Sequence, residues 1–135
     1  MSEAGAGRAV DQAGKLLILD TAQVEAIPWE PLRDLDGVFH KVLWRSGNAV
    51  IGLMRVASGK SEPHHVHYHS HHQIWVISGS GTIAGRAVSA GSYAYIPPGV
   101  EHGIGDVGPD GCTVFYSYRP VAQALPLDHA VVAPV

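Results

Sequence analysis

The chain has a single cysteine, Cys112, among its 135 residues. It therefore cannot form an intrachain disulfide bond or a cysteine-rich zinc site. Charged residues make up only 16% of the composition, the formal net charge is −3, and no run of lysines and arginines occurs. Because nucleic-acid binding depends on such basic patches, it has no electrostatic support here.

Long apolar runs are also absent. None of the apolar segments approaches the roughly 20 residues that a membrane-spanning helix needs. The N-terminal segment MSEAGAGRAVDQAGK lacks the apolar core of a secretion signal. We therefore expect a cytoplasmic protein that does not contact a membrane. A hydrophobic content of 46% over this length predicts one globular domain with its own core.

Turn-forming residues, among them 16 glycines, divide the centre of the chain into short apolar segments. Valine, isoleucine, tyrosine and tryptophan fill these segments and predict strands at 38–44, 49–57, 71–78, 81–85, 92–97 and 112–119. A short strand is also predicted at 15–20. Residues 21–37, broken by Pro28 and Pro31, are predicted to form a loop lying on the body. The pattern favours an all-β sandwich or barrel.

The two ends of the chain differ from this centre. Residues 1–14 are rich in glycine and alanine and are predicted to form a flexible tail before a domain at 15–120. Residues 121–135 are apolar. Because an exposed apolar tail usually packs on its own body or on a partner subunit, we expect a homodimer to which this tail contributes.

Six of the nine histidines are crowded into one short segment: His64, His65, His67, His69, His71 and His72. In a strand, residues two apart share a face, so His65 and His67 would point the same way, about 7 Å apart along the chain. Two such imidazoles can chelate one divalent metal. The pair alone fits equally well a solvated histidine-rich edge or a metal-storage tract.

The flanking glycines and prolines give these histidines a defined spacing. The first set of spaced residues is Gly59, His65, His67, His72 and Gly79, and the second is Gly91, Pro97, Gly99, His102 and Asp106. The spacings resemble the two motifs of the cupin superfamily, G-x5-HxH-x3–4-E-x6-G and G-x5-PxG-x2-H-x3-N. Two departures occur, because His72 stands at the glutamate position and Asp106 at the final asparagine.

The cupin resemblance implies an all-β fold, the double-stranded β-helix or jelly-roll-like barrel, with one divalent transition metal (Fe, Mn, Zn, Ni or Cu) in its mouth. Carried over by position, the metal ligands would be His65, His67, His72 and His102. Cupins with four histidine ligands exist, so His72 need not abolish binding. His71 is the alternative third ligand, but the six-residue spacing to Gly79 favours His72.

Other residues near the motifs are weaker catalytic candidates. Gln73 could orient a ligand or substrate, His69 could support the ligands or touch substrate, and Glu101 could be a base, although surface roles are simpler for the last two. The cavity is expected to be mainly apolar. Candidates for its wall are Met54, Val56, Ile74, Val76, Tyr93, Tyr95, Phe115 and Tyr116, of which only one parity in each strand can face inward.

A set of four neutral imidazoles would leave the full charge of a divalent ion at the centre. The ion would then be a strong Lewis acid and would attract an anionic substrate. Four ligands also leave up to two adjacent octahedral positions free, enough for a chelating substrate or for one substrate atom and O₂. Within the motifs the only cationic side chains are Lys60 and Arg86, so a phosphate-bearing substrate is less suitable than a small carbonyl, enol or aromatic compound.

The segments around the motifs resemble one group of small cupins. This group includes dioxygenases of diketones and hydroxyketones and an anti-sigma-factor cupin domain. Separately, the set of four histidines resembles that of monocupin polyketide cyclases. The leading hypothesis is a non-haem metal dioxygenase of a small carbonyl or enol compound. The alternatives are a redox-neutral metal-dependent cyclase or isomerase and a non-enzymatic metal-sensing or ligand-sensing module.

Overall fold

Antiparallel β-structure dominates the computed structural model, which describes residues 14–120. Its elements are helix α1 (Thr21–Ala26) and strands β1 (Glu30–Pro31), β2 (Val38–Ser46), β3 (Ala49–Val56), β4 (Glu62–His65), β5 (Ser70–Ile83), β6 (Arg86–Ser89), β7 (Tyr93–Ile96), β8 (His102–Gly105) and β9 (Cys112–Pro120). The strands pair in the order β1-β2-β3-β9-β5-β8-β4, with β6 and β7 also on β5. The predicted double-stranded β-helix is confirmed. The predicted tails lie outside the described residues, apart from Gly14.

Strand β5 links the two parts of the sheet. Its first half pairs with β7 and β9, and its second half pairs with β6 and β8. The prediction of two strands, 71–78 and 81–85, separated by a turn was therefore wrong. Gly79 bends the strand at a φ of +80° and follows a bulge between Val76 and Ser78 instead of ending it. The turn comes later, at Ala84 and Gly85, whose positive φ angles suit a two-residue hairpin.

The N-terminal segment also differs from its prediction. Residues 15–19 form no strand, and Asp20 instead caps helix α1. The Asp20 carboxylate accepts a hydrogen bond from the Gln23 backbone N–H at 2.8 Å, and the Gln23 side chain accepts one from the Asp20 N–H at 2.9 Å. This reciprocal capping offsets the weak tendency of a six-residue helix to form. The predicted loop at 21–37 was wrong to that extent.

A buried lysine attaches this helix to the sheet. Lys41 of β2 is 6% exposed, and its Nζ donates hydrogen bonds to the carbonyl oxygens of Val24 and Ile27 at 2.8 and 3.3 Å. Those carbonyls belong to the last turn and the end of α1, where unpaired acceptors favour a cation. The segment that precedes the barrel is thereby held against β2. No helix among residues 14–120 is long and apolar enough to cross a membrane.

In each strand, alternate side chains point into the barrel interior. Among the predicted wall residues, Met54, Val56, Ile74, Val76 and Tyr116 are buried in it. The prediction was wrong for Tyr93, Tyr95 and Phe115, which are 53, 46 and 39% exposed. Tyr93 and Phe115 each pair with Trp75, an exposed residue that follows the buried Ile74, so all three lie on the outer face.

Candidate metal centre

Strands β4 and β8 lie side by side and bring the two sequence motifs together. His65 is paired with His102, and Glu62 is paired with Ile104. Between these two pairs, β4 therefore has one residue more than β8, which places a bulge at Pro63 and His64. Because the bulge changes the alternation of faces, Glu62 and His65 share the inward side.

His65, His67 and His102 form a compact cluster in which one ring nitrogen of each lies within 4.8 Å of the others. The ring centroids are separated by 4.3 Å for His65 and His102, 4.8 Å for His65 and His67, and 5.4 Å for His67 and His102. The structure therefore brings together three of the four predicted ligands, from both motifs.

His72 borders this cluster from β5. It is 2% exposed, and its ring centroid lies 5.2 Å from that of His102 and 5.6 Å from that of His67. Its ring stacks on Tyr118 at 4.2 Å. The neighbouring His71 lies on the other side of the strand, where its Nδ1 is 2.6 Å from the Tyr95 hydroxyl. His72 therefore lies on the face of β5 that is directed toward the cluster, and His71 lies on the opposite face. Ligation by His72 stays a prediction.

Backbone carbonyls fix which nitrogen each ring presents. Nδ1 of His65 is 2.8 Å from the Pro63 oxygen, and Nδ1 of His102 is 3.0 Å from the Val100 oxygen. Because a carbonyl only accepts, each Nδ1 carries a hydrogen, and Nε2 is the nitrogen that each ring can present to a metal. The same holds for His72, whose Nδ1 is 3.2 Å from the Ser117 oxygen.

Two ring nitrogens of the cluster have nothing to bind within the described residues. Nε2 of His67 and Nε2 of His102 are both buried without a hydrogen-bond partner there. Unpaired buried polar atoms are costly and call for an explanation such as an ion. A divalent transition metal is the ligand that several convergent imidazole lone pairs suit, so the donor set fits the metal that the motifs imply.

Burial keeps these imidazoles in the neutral form that a metal requires. It lowers the pKa of His72 to about 3 and that of His67 to about 4, and the neighbouring imidazoles lower both further. Burial also lowers the pKa of His102. At neutral pH, therefore, no proton competes with a cation for these nitrogens.

The structure does not bring the weaker candidates to the cluster. His64, His69, Gln73 and Glu101 are all exposed. Gln73 lies beside Ser117 on the outer face of β5, with 3.4 Å between the Ser117 hydroxyl and the Gln73 side-chain oxygen. The catalytic roles suggested for His69, Gln73 and Glu101 stay predictions.

Two tyrosines of β9 line the site, and only one of them was among the sequence candidates. Tyr118 is paired with His72, and its ring centroid lies 4.7 Å from that of His67. Burial raises the pKa of Tyr116 to about 12 and also raises that of Tyr118. Both phenols therefore stay protonated at neutral pH and can donate a hydrogen bond. The strict alternation of Val114, Tyr116 and Tyr118 was the signal that could have identified Tyr118.

Arg45 is a further residue that the sequence motifs do not include. It is paired with Val50 of β3, which is paired with Tyr118, so the three lie on the same inward face as His72. Its Nε is buried and has no hydrogen-bond partner within residues 14–120. A bulge between Val42 and Trp44 reverses the alternation in β2, so regular alternation would have placed Arg45 outside.

Comparison with known protein families identifies the family of this chain. The profile of the ChrR cupin-like domain matches residues 19–122, which include the whole histidine cluster. The chain belongs to this cupin family. No curated protein matches it significantly.

Solved structures share the fold of this cupin. The polyketide cyclase RemF from Streptomyces resistomycificus is 23% identical, with a TM-score of 0.64 over 76% of this chain and 80% of that one. The anti-sigma factor ChrR of Rhodobacter sphaeroides, solved with SigE, is 21% identical, with a TM-score of 0.59 over 69% of this chain and 50% of that one. A predicted oxalate decarboxylase from Thermotoga maritima is 18% identical, with a TM-score of 0.66 over 78% and 100%.

The side chain at position 72 is expected to contribute to metal affinity, and the one at position 71 is not. His72→Ala removes a neutral imidazole that borders the cluster, so we expect the cupin to bind Zn²⁺ at least about tenfold more weakly. His71→Ala removes an imidazole from the opposite face and should leave the affinity unchanged. Competition with a chromophoric chelator measures both constants. Equal affinities for the two variants would show that His72 is not a ligand.

Acidification is expected to destabilise the metal-free cupin. His72, His67, His102 and His40 all have pKa values that burial lowers below the value of the unfolded chain, so the unfolded state binds protons more readily. The stability that they confer is complete above pH 6.5 and is lost as the pH falls. With a pKa of about 3, His72 alone would cost about 2 kcal/mol between pH 7 and pH 5.

Urea unfolding of the metal-free cupin at pH 7, 6 and 5 measures this loss. Glu62, whose pKa burial raises, acts in the opposite sense, but it is one carboxyl against four imidazoles. A free energy of unfolding that stays constant over this range would contradict the lowered pKa values.

Proposed function

We propose that this cupin is a non-haem metal oxygenase that acts on a small carbonyl or enol compound. The observation that carries the proposal is the cluster of His65, His67 and His102, with the buried Nε2 atoms of His67 and His102 lacking a partner in the described residues. A redox-active divalent metal bound there would polarise a substrate oxygen and exchange electrons with O₂. The reaction class needs no external reductant, since both atoms of O₂ enter the products as a C–C bond breaks.

The surrounding side chains favour a substrate with negative charge on oxygen. Tyr116 and Tyr118 keep their phenolic protons and can donate hydrogen bonds to an enolate or to the oxygen of a carbonyl. The guanidinium of Arg45, on the same face of the sheet, adds positive charge to that side of the barrel. The row from Arg45 through Val50 and Tyr118 to His72 spans three strand spacings, about 14 Å between the outer Cα atoms.

The walls of the barrel would exclude water from such a substrate. Met54, Ile74, Val76 and Val114 are all 3% exposed or less and lie on the inward face. In this apolar setting, hydrogen bonds and charges act more strongly than in water. The chain thus provides donors for an oxyanion, while the imidazoles hold the ion that the oxyanion would bind.

A redox-neutral cyclase or isomerase is the second candidate. It is supported by the likeness to RemF, a polyketide cyclase whose chain is covered over 80% of its length. The same donors, Tyr116, Tyr118 and Arg45, would then stabilise an enolate that reacts without O₂. A metal-sensing module is the third candidate, supported by the family match and by the likeness to the anti-sigma factor ChrR.

Oxygen consumption separates these functions. Protein loaded anaerobically with Fe²⁺ is mixed with a panel of 1,3-diketones and hydroxyphenyl ketones, and O₂ uptake and substrate loss are followed together. The oxygenase proposal predicts equal molar amounts of each and two ¹⁸O atoms in the products from ¹⁸O₂. Substrate loss that continues without O₂ would exclude the oxygenase in favour of the cyclase or isomerase.

A further inference from the structure

We propose that Glu62 supplies a carboxylate ligand to the metal that His65, His67 and His102 surround. The proposal rests on the metal site of the proposed function and adds a residue at one of the unspecified positions of the first cupin motif. In the usual cupin motif the carboxylate follows the HxH pair, at the position of His72. Here it would precede that pair and come from strand β4.

The bulge in β4 brings this carboxylate close to His65, one of the three clustered histidines. Regular alternation would place Glu62 and His65, three residues apart, on opposite faces of the strand. The bulge at Pro63 and His64 removes that offset. As a result, Oε2 of Glu62 lies 3.8 Å from Nε2 of His65, the ring nitrogen that does not face the Pro63 carbonyl.

Gly103 makes this approach possible. It lies on β8 between His102 and Ile104, the partners of His65 and Glu62. A Cβ atom at Gly103 would come within 2.6 Å of the Glu62 backbone oxygen and 2.8 Å of the His64 ring. The missing side chain therefore lets the bulged strand pack closely on β8, with Glu62 turned inward.

The burial of the Glu62 carboxylate also supports its role as a metal ligand. The Glu62 side chain is only 5% exposed, and a buried carboxylate is costly without a cation beside it. Within the described residues its one ion-pair distance is to His65, and Arg33 acts on its pKa only from farther away. A divalent cation bound to the imidazoles would stabilise the charged form of this buried carboxylate.

The proposal changes the charge of the site. A metal held by imidazoles alone keeps its full positive charge, whereas one carboxylate reduces it by one unit. Mixed imidazole and carboxylate donors are the set that non-haem Fe²⁺ oxygenases use. His72 would then replace the usual glutamate in position, while Glu62 restores its charge from another strand.

Metal affinity and a coordination spectrum test the proposal. Glu62→Gln keeps the size of the side chain and removes its charge, and Glu25→Gln makes the same change on the exposed helix α1. We expect Glu62→Gln to bind Zn²⁺ at least tenfold more weakly than the wild type and to alter the visible absorption bands of the Co²⁺-loaded protein. Glu25→Gln should change neither. Circular dichroism of the metal-free proteins establishes that each variant is folded.

A second variant keeps the test decisive if Glu62→Gln does not fold. Glu62→Asp retains the charge but withdraws the oxygens by about one bond, and it should also weaken Zn²⁺ binding and shift the Co²⁺ bands. Affinities within threefold of the wild type together with an unchanged Co²⁺ spectrum would overturn the role of Glu62. Wild-type protein that binds no metal would overturn both this inference and the proposed function. Metal binding that depends on Glu62 but supports no O₂ uptake would overturn the proposed function alone.

Discussion

His65→Ala is expected to abolish tight metal binding, whereas His64→Ala is expected to leave it intact. The two residues are adjacent in sequence, but the bulge and the strand direct His65 into the three-histidine cluster and leave His64 exposed. Removal of one of three clustered imidazoles should lower the affinity for Zn²⁺ by more than about 100-fold, or about 2.7 kcal/mol. Elemental analysis after exhaustive dialysis should find one ion per chain in the wild type and in His64→Ala, and almost none in His65→Ala.

The paired variants also test the storage hypothesis. A histidine-rich tract that binds several ions loosely would lose a similar fraction of its metal in either variant. More than one tightly held ion per chain, or equal losses in the two variants, would contradict a single built site.

Gly79→Ala is expected to destabilise the fold severely. Gly79 has a φ of +80°, and a Cβ atom there would overlap the backbone carbonyl of Gly111. Because a backbone atom cannot rotate away as a side chain can, we expect a loss of about 3 kcal/mol or more in the free energy of unfolding, the sum of backbone strain and overpacking. Thermal and urea unfolding measure it.

Gly85→Ala is the matched control for this variant. Gly85 has nearly the same φ, +81°, but no atom lies within 4 Å of the position that a Cβ would occupy. Its cost should be confined to the strain of the left-handed conformation, about 1 to 2 kcal/mol. Equal losses for the two variants would show that the crossing of Gly79 and Gly111 is not tightly packed.

The histidine cluster and Gly79 differ in how far the sequence predicts them. The spacing from Gly59 to Gly79 is enough to identify His65 and His67, since a motif is a property of the chain. The same Gly79, however, was interpreted as a turn. Glycine permits both a turn and a bend within a strand, and only the pairing of β5 with β9 and then with β6 and β8 makes it a bend.

The errors at the N-terminus have another cause. The run KLLILD is apolar enough for a strand, yet Leu16 and Ile18 are 89 and 74% exposed in the described structure. Local composition does not reveal whether a neighbouring strand has a free edge to pair with. The short helix that follows depends on the cap at Asp20 and on the long-range hydrogen bond from Lys41. The prolines after the helix favoured the prediction of a loop over the whole segment.

The sequence by itself determined the class of fold, the family resemblance and the histidines that are candidate metal ligands, because alternation, turn residues and motif spacing are all local. Only the tertiary structure decided which parity of each strand faces inward. It set the outer position of Tyr93, Tyr95 and Phe115 and the inner position of Arg45 and Glu62. Tyr93, Tyr95 and Phe115 lie outside because they pair with outward-facing residues of β5. Arg45 and Glu62 lie inside because a β-bulge reverses the faces of the residues beyond it, and a bulge is defined only by the register with the partner strand.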